Sequence, residues 1–428
     1  MPDSLETDGD RTSRAASEPA ERFVWPAAEH RTVDWKTDPD QFINGKRPNY
    51  ADRMLVEITV EVPPKIAHLD ARLPAELAER CRHGEAEITR LDALYGAHPV
   101  GISSFLVRSE SVASSRIEQV YADPEDVARA SINEEASRAA LTTAAAARAM
   151  STLVSRQRAD DPFSETALLE AHRELLEDEP GNKSFAGRYR PMQNWIGGSD
   201  FCPRNAIHVP PPAAEVEPLM RDLAAFMNRT DIPPLAQAAL AHGQFEAIHP
   251  FVDGNGRIGR AVIAASLRRR EVTKQVTIPI AAMMLADVDS YFEVLIGYRN
   301  GDAHGLVSYL VEVAEVATAE AGTAAHRLSE LPKNWRDAVR PRRGSAAAHL
   351  IDSLVSNPVI NAAVARELTG TTMPSTYQAI DKLTSAGVLR EITGTARNRV
   401  WLAADVTTEL AELDERIGRR AQPSKRWR

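Results

Sequence analysis

Within residues 249–260 the chain places an imidazole, a carboxylate, a Gly-Asn-Gly turn and two guanidinium groups, in the order His-Pro-Phe-Val-Asp-Gly-Asn-Gly-Arg-Ile-Gly-Arg. Together these residue types can handle a phosphate. His249 is a candidate proton acceptor, because an unperturbed imidazole titrates near neutral pH. Asp253 offers the hard oxygen that suits magnesium arriving with a nucleotide. Gly254 and Gly256 permit positive φ, which lets successive N–H groups converge on an anion. Asn255 between them can either fix this nest or donate to a phosphate. Arg257 and Arg260 lie three apart, so one helical face can carry both to the same anion.

These groups need elements to hold them. From Arg257 through Leu267 apolar residues recur at helical spacing, so the nest should open a helix whose N-terminal dipole favours phosphate. Upstream, Leu235, Ala239, His242, Phe245 and His249 recur every three or four residues and share one helix face. His242 and His249 therefore point the same way, but seven residues separate them by about 10 Å at roughly 1.5 Å per residue, so His242 reads as packing rather than as a ligand. His172, in a helical pattern over 163–176, reads likewise as interhelical. Further helical patterns cover 73–94, 124–153, 215–227 and 290–299. An extended stretch ends at Pro63-Pro64, and residues 187–199 with 206–212 have the aromatic, β-branched and glycine content of a hairpin.

The string 249–260 resembles, at every defined position, the signature of the Fic (filamentation induced by cAMP) family, His-Pro-Phe-x-[Asp/Glu]-Gly-Asn-Gly-Arg-x-x-Arg. The resemblance extends over most of the chain between Asn49 and Leu331. It implies a mainly α fold, a Fic helical core with a β-hairpin flap, and transfer of AMP from MgATP to a Ser, Thr or Tyr hydroxyl of a target protein. It gives His249 the role of base, Asp253 that of magnesium ligand, and Gly254, Asn255, Gly256, Arg257 and Arg260 that of phosphate cradle. Ile196, Gly197 and Gly198 of the flap would border the nucleotide, and Tyr291 and Arg299 would approach the adenine and ribose. The family's inhibitory helix carries [Ser/Thr]-x-x-x-Glu-[Gly/Asn], which Ser114 and Glu118 match; its glutamate pairs with the motif's last arginine, here Arg260. Gln119 departs from that pattern. From the residues alone, Ser115-x-x-Glu118 also fits a capping box at a helix start. Two other readings stay open, a hydrolase that removes AMP from a modified protein and a nucleotide-sensing regulator that binds DNA.

At 428 residues, 43% hydrophobic and 26% charged, the chain can build two or three cores. Its two cysteines, Cys81 and Cys202, cannot form a disulfide framework or a four-cysteine zinc site. The opening residues lack the apolar run of a secretory signal and no stretch is long enough to span a membrane, so a cytoplasmic location is expected. The expected organisation is a mobile segment over 1–40, an N-terminal extension with the inhibitory helix over 41–123, the catalytic core over 124–331, a linker over 332–344 and a second domain over 345–428. The net charge of −9 is uneven, with +5 over 336–428 and −14 before it. Three short helical patterns and a small hairpin make the last region resemble a winged helix-turn-helix. Ser375, Thr376, Gln378 and Lys382 would face outward from its third helix, with Tyr377, Ile380 and Leu383 inward and Arg397 and Arg399 on the wing, a surface that could meet DNA. Such modules also serve as homodimer contacts.

Overall fold

The computed structural model describes residues 23–43, 45–98, 101–179, 181–393 and 398–421. It is mainly helical. The N-terminal part comprises β1 (Glu29–Asp34), α1 (Tyr50–Arg53), β2 (Glu57–Val62), α2 (Ala75–Tyr95), α3 (Ile102–Ile117), α4 (Pro124–Ser131), α5 (Arg138–Ser155) and α6 (Glu165–Leu176). The centre continues with α7 (Ala213–Met227), α8 (Pro234–Ile248), α9 (Asn255–Arg269), α10 (Ile280–Ala286), α11 (Val288–Arg299) and α12 (Ala303–Val339). The C-terminal part is α13 (Ala346–Ser353), β3 (Val359–Asn361), α14 (Ala362–Thr369), α15 (Met373–Ser385), β4 (Arg390–Glu391), β5 (Val400–Leu402) and α16 (Ala404–Arg420).

Helix α8 is the axis of the core. Every residue from Leu235 to Ile248 is buried, so it shows no polar face, as expected of a helix surrounded by others. It is packed by α2, α7, α9, α11 and α12. Two of its buried polar side chains bond to the backbone of neighbouring segments: Gln237 Nε2 donates to Phe226 O at 2.9 Å, and Gln244 Nε2 to Pro64 O at 2.7 Å. His242 contacts Gly259 O through Nδ1 at 2.8 Å and Tyr291 Oη through Nε2 at 3.0 Å, which is the packing role that its spacing suggests. Among the described residues no helix is long and apolar enough to cross a membrane.

Several segments differ from their sequence-based expectation. Part of the stretch expected to be mobile is β1, which pairs antiparallel with β2 from Glu29 opposite Val62 to Asp34 opposite Glu57; residues 1–22 lie outside the described residues. Alternating burial on β2, with Ile58 and Val60 inside, supplies the apolar contact that holds β1. The expected linker is helical through Val339, and the chain turns only at Arg340, which takes a left-handed φ of 46°. Pro332 does not interrupt α12, whose buried stripe includes Leu328, Pro332, Trp335 and Val339.

The C-terminal part has four helices and an antiparallel sheet in the order β3-β5-β4. On α15 the buried side chains are Thr376, Ala379, Ile380 and Leu383, whereas Tyr377 is 40% exposed. Thr376 and Tyr377 thus exchange the places expected of them. The true stripe follows i, i+3, i+4, i+7 spacing, and the Thr376 hydroxyl is satisfied inside by Thr372 O at 3.1 Å. Ser375, Gln378 and Lys382 are exposed. Arg399 reaches Glu391 and lies 4.9 Å from the Trp401 ring centroid, and Arg397 lies outside the described residues. Arg416 sits on α16 and bonds Glu320 of α12 at 3.0 Å and Glu409 at 2.7 Å. This pairing fastens α16 back onto the core.

Candidate active site

Helix α8 ends at His249, whose φ of 48° and ψ of 62° make it a left-handed cap. The next helix, α9, starts after Gly254 at φ 80°. Between these two caps the loop is pinned from inside. Asn255 Oδ1 accepts from Phe251 N at 2.8 Å while its Nδ2 donates to Phe251 O at 2.8 Å. Of the two roles open to Asn255, its side chain here performs the first, fixing the nest. His172 Nε2 lies 3.0 Å from Asp253 O, Gly187 N donates to its Nδ1 at 3.0 Å, and its ring stacks on Phe251 at 3.7 Å.

His249 is flanked by the flap. Asn194 Nδ2 donates to His249 Nδ1 at 2.9 Å and to Phe251 O at 2.9 Å, so the neutral ring carries its proton on Nε2. Burial pushes the imidazole pKa down to about 3, with His208, Arg190 and Arg299 nearby adding to the effect. The ring is therefore neutral at physiological pH. Arg190, itself buried, donates from Nε to His249 O at 2.9 Å and from Nη2 to Pro211 O at 2.5 Å. Sequence reasoning passed over Asn194 and Arg190; the signal was a guanidinium and an amide among the turn residues 187–199, and their partners lie some 50 residues away.

The flap is slighter than the expected hairpin. It holds one antiparallel bridge, between Ile196 and His208, with Gly197 and Gly198 at φ 74° and 76° in its turn. A Cβ at Gly198 would fall 2.4 Å from Arg204 O. The sheet beneath it compensates: Glu61 N of β2 donates to Val209 O at 2.8 Å, and Trp35 meets Trp195 edge to face at 5.7 Å. Ile196, Gly197 and Gly198 are exposed.

On the phosphate side, Asp253 Oδ1 accepts from Gly254 N at 2.5 Å, Oδ2 accepts from Asn182 Nδ2 at 2.8 Å, and Arg257 Nη2 stands 3.3 Å from Oδ1. Arg257 is buried, and its Nε and Nη1 have no partner among the described residues. Two orphaned donors beside a helix N-terminus fit anionic oxygens.

That N-terminus holds an anion already. Arg260 Nη2 donates to Glu118 Oε1 at 2.8 Å and to Ser114 O at 2.8 Å, and its Nε donates to Ser114 Oγ at 2.8 Å. The guanidinium thus caps the C-terminus of α3 while the Glu118 carboxylate covers the start of α9, each charge at the dipole end that favours it. A Cβ at Gly256 would lie 1.9 Å from Glu118 Oε1; the carboxylate rests against the glycine. Burial opposes the charge of Arg260, but Glu118, Tyr291 and Glu246 together outweigh it and leave its pKa raised.

Ser115 and Glu118 therefore stand at the end of a helix, not at the start that a capping box requires, and Ser115 Oγ is buried without a partner. Gln119 takes φ 60°, and Val120 N closes the helix on Ser115 O at 3.0 Å. A left-handed residue is what glycine or asparagine serves best here, which gives the family pattern its physical reason.

Two expected nucleotide contacts are otherwise occupied. Tyr291 is 1% exposed with its hydroxyl on His242, and Arg299 Nε donates to Glu61 Oε2 at 2.7 Å. Glu246, one turn before His249, is a residue sequence reasoning missed. It is buried, its Oε1 has no partner among the described residues, and a Cβ at Gly259 would lie 2.0 Å from that atom. Burial pushes its pKa up to about 7, with Arg260 opposing.

The helical core thus presents a pinned imidazole and a glycine turn at adjoining helix ends. Residues 162–267 match the model of the Fic/DOC family. The chain is 30% identical over 151 residues to the protein adenylyltransferase Fic of Nematostella vectensis, covering 35% of this chain and 31% of that protein. It is 28% identical over 151 residues to the protein of the same name from Drosophila virilis, covering 35% and 28%. The matched stretch thus spans about a third of those relatives' length. Among solved structures, a Fic family protein from Desulfovibrio desulfuricans G20 aligns with a TM-score of 0.48 and 20% identity over 76% of this chain and 95% of that one. A Fic domain containing signaling protein from Bacteroides thetaiotaomicron aligns at 0.46 and 18% over 58% and 97%.

Proposed function

We propose that the chain is a protein adenylyltransferase held in check by Glu118. The observation that carries this reading is the Glu118 carboxylate seated on Gly256 and Arg260, an anion in the place a nucleotide phosphate would take. The target hydroxyl oxygen attacks the α-phosphorus of ATP, pyrophosphate leaves, and the hydroxyl proton passes to His249. Accepting that proton needs a free Nε2, so the contact between Asn194 and Nδ1 must be remade with the ring proton on Nδ1. Arg257 and the N–H groups at the start of α9 stabilise charge on the phosphates, and Arg260, once released, holds the terminal phosphate. Asp253 suits a magnesium that arrives with the nucleotide: it is a half-exposed single carboxylate, and among the described residues no three His, Cys, Asp or Glu cluster. Such an ion would neutralise phosphate charge.

The test is incorporation of label from α-labelled ATP into protein, with an AMP adduct located by mass spectrometry. Incorporation that persists in His249→Ala would sink the reading.

One observation favours the reverse reaction as a second reading. With the proton on Nε2, His249 is poised to donate to a departing hydroxyl oxygen, and Glu118 is 37% exposed, open to water. Release of AMP from a modified protein that survives Glu118→Gly would exclude it. A DNA-binding regulator rests on the exposed Ser375, Gln378 and Lys382 of a winged-helix-like unit, against which stands the engagement of Arg399 with Glu391 and Trp401. Absence of duplex binding by the full chain at low salt would remove that reading.

A further inference from the structure

Helix α3 has a second face. Its residues Val112 and Arg116, opposite Ser114 and Glu118, line with Val107 a cleft of about 740 Å³ that runs between α3, the α4–α5 pair and α16. The volume lies in the range of small-molecule sites, roughly 300–1,000 Å³. The walls are mostly apolar, with Val127, Ala147, Val406 and Leu410 facing the two α3 valines.

The charges along the cleft are nearly all matched. Arg116 Nη1 meets Asp414 Oδ2 at 3.1 Å, Arg148 Nε stands 3.8 Å from Glu174 Oε1, and Glu415 at the rim faces Arg419 at 3.6 Å. Arg108 is the exception. Its contact among the described residues is a single donation from Nη2 to Ser356 O at 3.1 Å, with no carboxylate in salt-bridge range. Burial lowers its pKa to about 10 with nothing nearby to restore it. This half-buried guanidinium, bonded to one carbonyl, has donors to spare, and a planar oxyanion is the partner its fork matches. An apolar trough with one such cation selects for an apolar body carrying a single anionic head.

We propose that this cleft binds an amphiphilic carboxylate, its chain along the α3 and α16 walls and its head on Arg108. The site is separate from the nucleotide nest, so it stands or falls independently of adenylylation.

The test uses the full chain and decanoate, titrated by calorimetry, with 1-decanol and decyltrimethylammonium as probes of the same apolar length. Decanoate should bind saturably at one site, and the neutral and cationic probes at least about ten-fold more weakly. Arg108→Ala should weaken decanoate by about ten-fold or more, the loss of one charge-assisted pair, and Arg108→Lys by less. Ala147→Phe, which fills the trough and leaves Arg108 in place, should abolish binding; thermal unfolding of each variant checks that it is folded. Equal binding of the three probes, or decanoate binding unaffected by Ala147→Phe, would overturn the proposal. So would an absence of binding, including the case in which the variants shift the sedimentation of the protein and thereby mark the cleft as a contact between two copies of the chain.

Discussion

Under the proposed function, replacing Glu118 with glycine removes the anion that would compete with ATP for Arg260, and the size of the effect follows from the contact. Glu118 gives Arg260 one charge-assisted hydrogen bond of 2.8 Å, while both Ser114 bonds to Arg260 remain. A hydrogen bond to a charged group contributes about 1.5–3 kcal/mol net, which corresponds to roughly a 10- to 150-fold bias toward the closed arrangement. A ligand that needs the open arrangement binds more weakly by the same factor. MgATP should therefore bind Glu118→Gly about 10- to 150-fold more tightly than the parent. Calorimetry in a His249→Ala background measures this without turnover. AMP incorporation at low ATP should rise by a similar factor when His249 is present. A dissociation constant for MgATP within two-fold of the parent would refute the reasoning, because it would mean that the carboxylate and the phosphate do not share a place.

Gln119 sits at φ 60°, which costs a residue other than glycine about 1–2 kcal/mol; Gln119→Gly should tighten the closed arrangement and lower basal AMP incorporation about five-fold or more, read from initial rates. Because burial holds the His249 pKa near 3, its ring stays neutral across the working range, and kcat/KM should show no inflection near pH 6.5; a limb there would contradict the desolvated ring. His172, His242 and His249 have pKa values lowered to about 4, 3 and 3, below the unfolded value of about 6.5. The unfolded chain thus binds more protons in this window, so stability is full above pH 6.5 and is lost as pH falls toward 3, which Tm measured from pH 7 to 4 will register. Asn194→Ala frees His249 Nδ1 and should lower kcat by about ten-fold with a smaller change in KM; an equal change in both would instead indicate lost binding.

Much of the site was legible because it is contiguous. Residues 249–260 carry the base, the carboxylate, the nest and the arginines across the α8–α9 connection and the first turns of α9, and helix-cap chemistry is local, so spacing determined what the segment can hold. The helices around it were legible for the same reason, each showing apolar periodicity over its own length. Burial on α15 was misread because Tyr377 outranks Thr376 in hydrophobicity, yet a threonine hydroxyl that bonds its own helix backbone can enter a core.

What the tertiary structure alone decided is which distant groups meet. Glu118 and Arg260 are 142 residues apart, and the carboxylate reaches Gly256 only because α3 ends where α9 begins. No spacing rule reports that Asn194 sets the tautomer of His249, that Glu246 lies unpaired against Gly259, or that Tyr291 and Arg299 are taken by His242 and Glu61. These are contacts between elements, made by packing free energy summed over the whole core, whereas the sequence read in short windows reports each element's own preferences. By itself the sequence determined the chemistry of the loop and the charge available to inhibit it. That the nest is closed by Glu118, with Arg260 as the shared partner, was decided when the helices packed.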